Sequence, residues 1–298
     1  MQLSDFDALG DFAPAGLAAT RLALTNAKTS LDAGRIPIAG AAVQLDPDGG
    51  LRTVTYGCNG RIPADGGVGY PTDHGETGAI RRIHDPTQWS WGRVVFATTL
   101  SPCVMCTRSL IHLHGLGLRR IVVAESQSFP GRKDLLRPLP GMQMVELTNA
   151  DAVAMMERFS RTYPWDWAAD IGEVPPRHPL PPLSPAALVG VIRSGAAVVS
   201  PAGAVLARAS DDRPAHGGNP VFAPVIRAMG LAGSAVNLRE QVVVVGGDGV
   251  LDVPSLGLSS IGAMELFRPR ALVTSRPVAS SVRGLLEAAG IEVFAELD

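Results

Sequence analysis

The chain has 298 residues, 46% of them hydrophobic, with 26 basic and 28 acidic side chains and a net charge of −2. That length suits two domains of ordinary size, and the composition can fill their cores. The near-neutral charge, without charge runs, speaks against a nucleic-acid or membrane-surface protein. No apolar run approaches the ~20 residues of a membrane span, and residues 1–11 lack the basic-then-apolar order of a signal peptide. The three cysteines, Cys58, Cys103 and Cys106, exclude a disulfide scaffold and point to a reducing, cytoplasmic setting.

Leu17, Leu24, Ala27 and Leu31 recur at helical spacing and Gly34 follows as a stop, which predicts a first helix. Residues 36–45 read as a strand, 46–50 as a turn by composition and 53–56 as the returning strand. Asn59 closes this hairpin as either a turn residue or a ligand-reading amide. A Gly- and Pro-rich loop over 62–73 leads to a helix over 76–84, with His74 and Glu76 at its start. Free amides at a helix start suit a developing negative charge. A buried strand over 94–99 is broken by Ser101-Pro102, and a helix over 103–114 ends at Gly115. Strands over 120–124 and 142–147 follow, then a helix over 151–161 with Val153, Met156 and Phe159 on one face. Residues 162–173 crowd Trp165, Trp167, Asp166, Asp170 and Glu173 around Pro164. They read either as a tail packed on the core or as a flap over a pocket.

The chemistry concentrates in His74-x-Glu76 and Pro102-Cys103-x-x-Cys106, which resembles the signature of zinc nucleobase deaminases. His74, Cys103 and Cys106 supply three zinc ligands and leave a fourth tetrahedral position for water. Zinc lowers the pKa of such a water to roughly 7. Glu76, two residues from the ligand His, can reach that water as general acid and base without binding the metal. C-x-x-C alone is ambiguous between redox, structural zinc and chance. A closed structural site wants a fourth Cys or His, and Cys58, His112 and His114 lie off the motif. His112 and His114, two apart on a helix, face different ways and read as surface or capping residues. Cys103 and Cys106, at i and i+3, are expected on one helical face.

The second half reads differently. Residues 174–185 form a linker in which six of twelve residues are Pro, semi-rigid and extended. Beyond it the element order of the first half returns: a short helix from Ser184-Pro185, a hairpin over 196–210, a helix over 220–229, and strands over 241–245, 270–275 and 290–297. The chemistry does not return. Pro220 and Phe222 stand near the places of His74 and Glu76, no cysteine follows Cys106, and a lone His216 does not hold zinc. Gly246-Gly247-Asp248-Gly249 lacks the lysine of a Walker loop and the glycine spacing of a dinucleotide fold.

Residues 98–107 (TTLSPCVMCT), Ile36-Pro37-Ile38, the His74-Gly75-Glu76 helix start and residues 166–173 (DWAADIGE) closely resemble the fungal, yeast-type cytosine deaminases, over about residues 15–173. The resemblance implies a cytidine deaminase-like α/β fold, a three-layer α/β/α sandwich with a mixed sheet, here expected in two tandem copies. It implies one zinc per chain, in the first copy. Asn59 and the backbone of Gly75 would meet the base carbonyl, and Glu76 the ring nitrogen. The Ser101 carbonyl and Asp170 would meet the exocyclic amine, with Phe129 and Trp167 as walls, which favours the flap reading. Two departures lie beside the pocket: the segment between Asn59 and His74 is longer than in the family, and Asp73 stands where the family has an apolar residue.

The expected domains are therefore a catalytic domain over 1–173, the linker over 174–185 and a degenerate, non-catalytic copy over 186–298. The expected reaction is hydrolytic deamination of free cytosine to uracil and ammonia, in pyrimidine salvage. Another amino-heterocycle or a nucleoside is the alternative substrate; nucleic acid and membranes are not expected partners. The second copy is expected to replace the partner of a dimer within one chain, unless the chain is itself a homodimer or that copy is a binding or regulatory module.

Overall fold

The computed structural model describes residues 1–63, 67–176 and 182–296. The middle of the expected 62–73 loop, part of the Pro-rich linker and the end of the expected last strand lie outside the described residues. Among the described residues no helix is long and apolar enough to cross a membrane.

The first half follows the expected order. After a 3₁₀ segment (Leu3–Phe12) come α1 (Ala13–Asp32), β1 (Ala39–Leu45), β2 (Leu51–Cys58), α2 (Gly75–Arg81), β3 (Val94–Thr98), α3 (Val104–Gly115), β4 (Arg120–Val123), β5 (Gln143–Glu146), α4 (Ala150–Thr162) and α5 (Pro164–Asp170). The sheet order is β2-β1-β3-β4-β5. β1 pairs antiparallel with β2 and β3, whereas β3, β4 and β5 run parallel. The strand period of two sorts the side chains into layers. Val43, Val95, Ala97, Val122 and Val145 pack with α1 and the 3₁₀ segment, while Ala42, Val94, Phe96, Ile121 and Val123 face α2 and α3.

The first helix forms where its periodicity predicts, but a different face is buried. Ala15, Ala19, Ala23 and Ala27 are fully buried, and Leu17, Leu24 and Leu31 lie at the edges. A stripe without bulky side chains lets α1 sit close to the sheet.

The second half contains α6 (Pro185–Val189), β6 (Gly195–Val199), β7 (Val205–Ala209), α7 (Pro224–Ala232), β8 (Val242–Gly246), α8 (Val253–Leu256), α9 (Leu258–Phe267), β9 (Ala271–Thr274), α10 (Ser280–Ala288) and β10 (Glu292–Phe294). Its sheet, read β7-β6-β8-β9-β10, has the same order and the same antiparallel and parallel pairings as the first. Even the irregularity repeats, between Ala42 and Val43 in β1 and between Val198 and Val199 in β6. The fold is thus an α/β one with two mixed five-stranded sheets in tandem. One layer is reduced: where α1 covers the first sheet, the five-residue α6 places Leu188 against the second.

α3 packs along α9, and their residues belong to one hydrophobic cluster that spans both sheets. Gly262 is why the two helices come so close, since a Cβ there would lie 2.7 Å from the Met105 Cα. Polar groups fix the register: Ser109 Oγ lies 2.8 Å from Ser259 Oγ, and the Arg108 Nη2 donates to Glu265 Oε1 at 2.7 Å. Asn219 Nδ2 donates to the carbonyls of Ile80 (2.9 Å) and Ile83 (2.6 Å), closing the C-terminal end of α2.

Candidate active site

His74 and Cys103 are each the residue that caps a helix, with extended backbone just before α2 and α3. Cys103 therefore precedes its helix instead of sharing a helical face with Cys106. The two helix starts converge beside β1. Gly75 permits this, because a Cβ there would sit 2.7 Å from the Ala39 Cα. Thr77 Oγ1 accepts from the His74 backbone N–H at 2.8 Å and donates to the Thr72 carbonyl at 2.7 Å, which locks the entry into α2.

The His74 Nδ1 lies 3.4 Å from Cys103 Sγ, and one donor atom each from His74, Cys103 and Cys106 falls within 4.8 Å of the others. All three residues are buried, and both thiols are free. Burial alone would lower the His74 pKa, but Asp170 and Cys103 outweigh it and raise it to about 9. Burial alone would raise Cys103, yet bonding from Cys106 and the charge on His74 hold it well below the usual thiol range. Burial and the neighbouring Cys103 push Cys106 well above it. Burial, then Cys103, also raises the Glu76 carboxyl. Glu76 Oε1 accepts from Thr98 Oγ1 at 2.7 Å, at the end of β3.

The segment that follows α4 reaches this centre. Asp170, at the end of α5, lies with Oδ1 3.4 Å from His74 Nε2, and both its oxygens accept from Asn59 Nδ2 at 2.9 Å. The Asn59 Oδ1 accepts from the Arg61 N–H at 3.0 Å. Phe129 and Trp167 meet edge to face at 5.8 Å. With Ile38, Leu100 and Ser101 they line a cavity of about 10 Å³ over His74, Glu76 and Cys103. Of the expected site residues, Gly75 alone does not line the cavity or bond a residue that does; it forms the first turn of α2.

Residues 17–125, which include His74, Glu76, Cys103 and Cys106, match the family described as the cytidine and deoxycytidylate deaminase zinc-binding region. A cytosine deaminase of Candida albicans is 31% identical over 153 residues, spanning 51% of this chain and 94% of that protein. The chain belongs to this deaminase family. Solved structures similar to it include a mutant of NE0047 in complex with 8-azaguanine (21% identity, TM-score 0.38, 49% of this chain and 84% of that one). Another comes from a study of A-to-I editing by tRNA:A34 deaminases (22% identity, TM-score 0.33, 44% of this chain and 97% of that one).

The donor set fits the metal of a zinc-dependent hydrolytic deaminase. Two thiols and an imidazole converge in a buried site, and a tetrahedral zinc with three protein ligands keeps one position for water. Several residues that build the deaminase site escape a sequence reading. Thr98 and Thr77 are short polar residues whose partners are set by tertiary contact. Glu125, fully buried, uses Oε2 to accept from the N–H groups of Gln127 (2.7 Å) and Ser128 (3.1 Å), shaping the loop that carries Phe129. Phe267, from α9 in the second half, places its ring edge-on to His74 at 6.4 Å.

Proposed function

We propose that the protein hydrolyses a free nucleobase, cytosine, to uracil and ammonia. The lid over the site and the likeness to a cytosine deaminase support this. Trp167 and Asp170 sit over His74 and Glu76, and the cavity wall of Ile38, Leu100, Phe129 and Trp167 is apolar, which suits a flat ring better than a polyhydroxyl ribose. Asp73, the departure from the family beside the pocket, pairs with Arg81 at 2.7 Å and is not a lining residue.

His74, Cys103 and Cys106 would hold the zinc, which when bound would make a water acidic enough to be activated at neutral pH. Glu76 would take one proton from that water and give it to the ring nitrogen, then take the remaining proton of the added hydroxyl and give it to the departing amine, so that the ring carbon keeps the oxygen as a carbonyl and ammonia leaves. Burial raises its pKa, which suits a group that must both accept and donate protons. Thr98 holds the carboxyl in place. Asn59 and the Gly75 N–H would read the base carbonyl; the Ser101 carbonyl and Asp170 would accept from the exocyclic amine. In the closed form Asn59 and Asp170 bond each other, so an entering base replaces that pair with its own carbonyl and amine. Phe129 and Trp167 exclude water from both faces.

The second half is proposed as a non-catalytic copy, with domains over 1–173 and 186–298 joined by 174–185, standing where a partner subunit would stand. Helix start for helix start, Ala223 takes the place of His74 and Val225 that of Glu76, a three-residue shift from the sequence expectation of Pro220 and Phe222. Gly257 precedes α9 where Cys103 precedes α3.

The test is ammonia release and ultraviolet loss on zinc-replete protein with cytosine, beside cytidine, adenine, guanine and creatinine. Turnover of cytosine alone, lowered by about 10²–10⁴ in Glu76→Gln with zinc retained, is expected. Turnover of a different amine with none of cytosine would overturn the substrate and keep the reaction class. A chain ending at residue 173 that is soluble, monomeric and fully active would overturn the proposed role of the second copy.

A further inference from the structure

A second cavity, of about 500 Å³, lies against the far side of the lid helix. That volume falls within the usual range for small-molecule sites, roughly 300–1,000 Å³. Both halves build it: Arg61 and α5 from the first, and residues 234–239 with Phe267 from the second. Arg61 is 8% exposed, yet its Nη1 is buried with no hydrogen-bond partner among the described residues. The Arg239 Nε, on the opposite wall, is buried and unpartnered in the same way. Two lining guanidinium groups against a single lining carboxylate give the cavity a positive character, which favours an anion as its occupant. Asp166 is the one carboxylate among the described lining residues; the charges of Asp170 and Asp166 act on Arg61 and that of Glu173 on Arg239. Ser234 and Asn237 apart, the remaining wall is apolar, with Leu238 and Phe267 buried and Trp165 75% exposed at the rim.

We propose that this cavity is a second ligand site, separate from the metal centre, for a small organic anion with an apolar or aromatic body, its carboxylate or phosphate bound by Arg61 and Arg239. The ligand would touch the outer face of α5, whose Trp167 and Asp170 close the catalytic cavity. Its occupancy would therefore bear on how readily the lid moves, without any contact with the reacting atoms.

The test uses full-length, zinc-replete protein and titration calorimetry with phenyl phosphate and benzoate as probes, and benzyl alcohol as the uncharged control. For probes of this size a Kd near or below about 1 mM is expected. Preference for phenyl phosphate over benzoate, or the reverse, distinguishes a phosphate from a carboxylate ligand. Arg239→Met is expected to weaken binding at least ~10-fold, the loss of a charge-assisted hydrogen bond. Ala235→Trp, at an exposed lining position, should abolish binding by filling the cavity while leaving the cores alone. Cobalt(II) in place of zinc should keep its visible spectrum when the probe binds. The proposal is overturned by no binding of either anion, by equal binding of benzyl alcohol, by unchanged affinity in both variants, or by a probe that enters the cobalt coordination sphere.

Discussion

The two halves share a sheet order, a strand irregularity and a core built from small β-branched residues, yet they differ at almost every position that does chemistry. In the first half polar side chains are buried at strand ends and helix starts: Asn59, His74, Glu76, Thr98, Ser101 and Asp170. The second half buries few, and two of them, Asn219 and Ser259, reach across to the first half. Buried polar groups are costly unless bonded. In the second half Asn219 and Ser259 are bonded and dock it to the first. The comparison teaches that the same sheet order and helix starts form without the His74, Glu76, Cys103 and Cys106 set.

The largest test of that difference is metal content. One zinc per chain is expected, and Cys106→Ala should bring both bound zinc and turnover to background, read by elemental analysis and ammonia release. A second equivalent of tightly bound zinc would break the comparison. Next in size is Glu76→Gln, which should keep the zinc and lower kcat by about 10²–10⁴, the range of general acid–base contributions.

Proton linkage sharpens the same contrast, because among the described residues only the first half carries a buried histidine at a helix start. Zinc must displace the proton from a His74 whose pKa is about 9 in the metal-free chain. Metal affinity should therefore climb with pH, close to ~10-fold per unit for each proton released, losing the His74 contribution near pH 9 and keeping that of Cys106, whose thiol is held above its usual range, beyond it. The sign for folding is opposite. A raised His74 favours its protonated form, so the stability it lends the metal-free chain is present below its ordinary 6.5 and lost as pH passes about 9. Affinity measured by chelator competition and melting temperature of the metal-free protein, each against pH, check the two slopes.

The junction between the halves can be broken at one residue. Gly262→Val drives a side chain into the α3 backbone beside Met105, between the two ligand cysteines. Overpacking of this kind costs about 1–3 kcal/mol, which denaturant unfolding would show, and zinc affinity should fall with it. Destabilisation without any change in zinc affinity would mean that α9 supports the fold and not the site.

What the sequence shows of this molecule follows from how tightly each part is constrained. Metal chemistry fixes residue identity, so His74, Glu76, Cys103 and Cys106 are legible without a structure. The strands are legible because Val, Ile and Ala cluster between turn residues. α9 was not anticipated: its residues are buried nearly all round, so no apolar stripe marks a helical period. α10 escaped although Val282 and Leu286 lie one turn apart between Ser280 and Gly290. The contact of Asp170 with His74 and Asn59 could not come from periodicity, since the residues meet only through the fold. Arg61, in turn, reads as one more loop cation until its burial is known.

The smallest test reaches the residue that distinguishes the ends of the two central strands. β3 ends in Thr98 and β8 in Gly246, and only the first has a hydroxyl to offer a carboxyl. Thr98→Val removes the donor to Glu76 and that to the Leu100 carbonyl while keeping the shape of the side chain. One lost hydrogen bond is worth about 0.5–1.5 kcal/mol, so kcat should fall by up to ~10-fold. The bond from Thr98 lowers the Glu76 pKa against the effect of burial. Without it the carboxyl ionises at higher pH, and the acid limb of the kcat/KM profile should move upward. A loss of activity with an unmoved acid limb would assign Thr98 to packing at the end of β3 and leave the Glu76 carboxyl to be positioned by its helix alone.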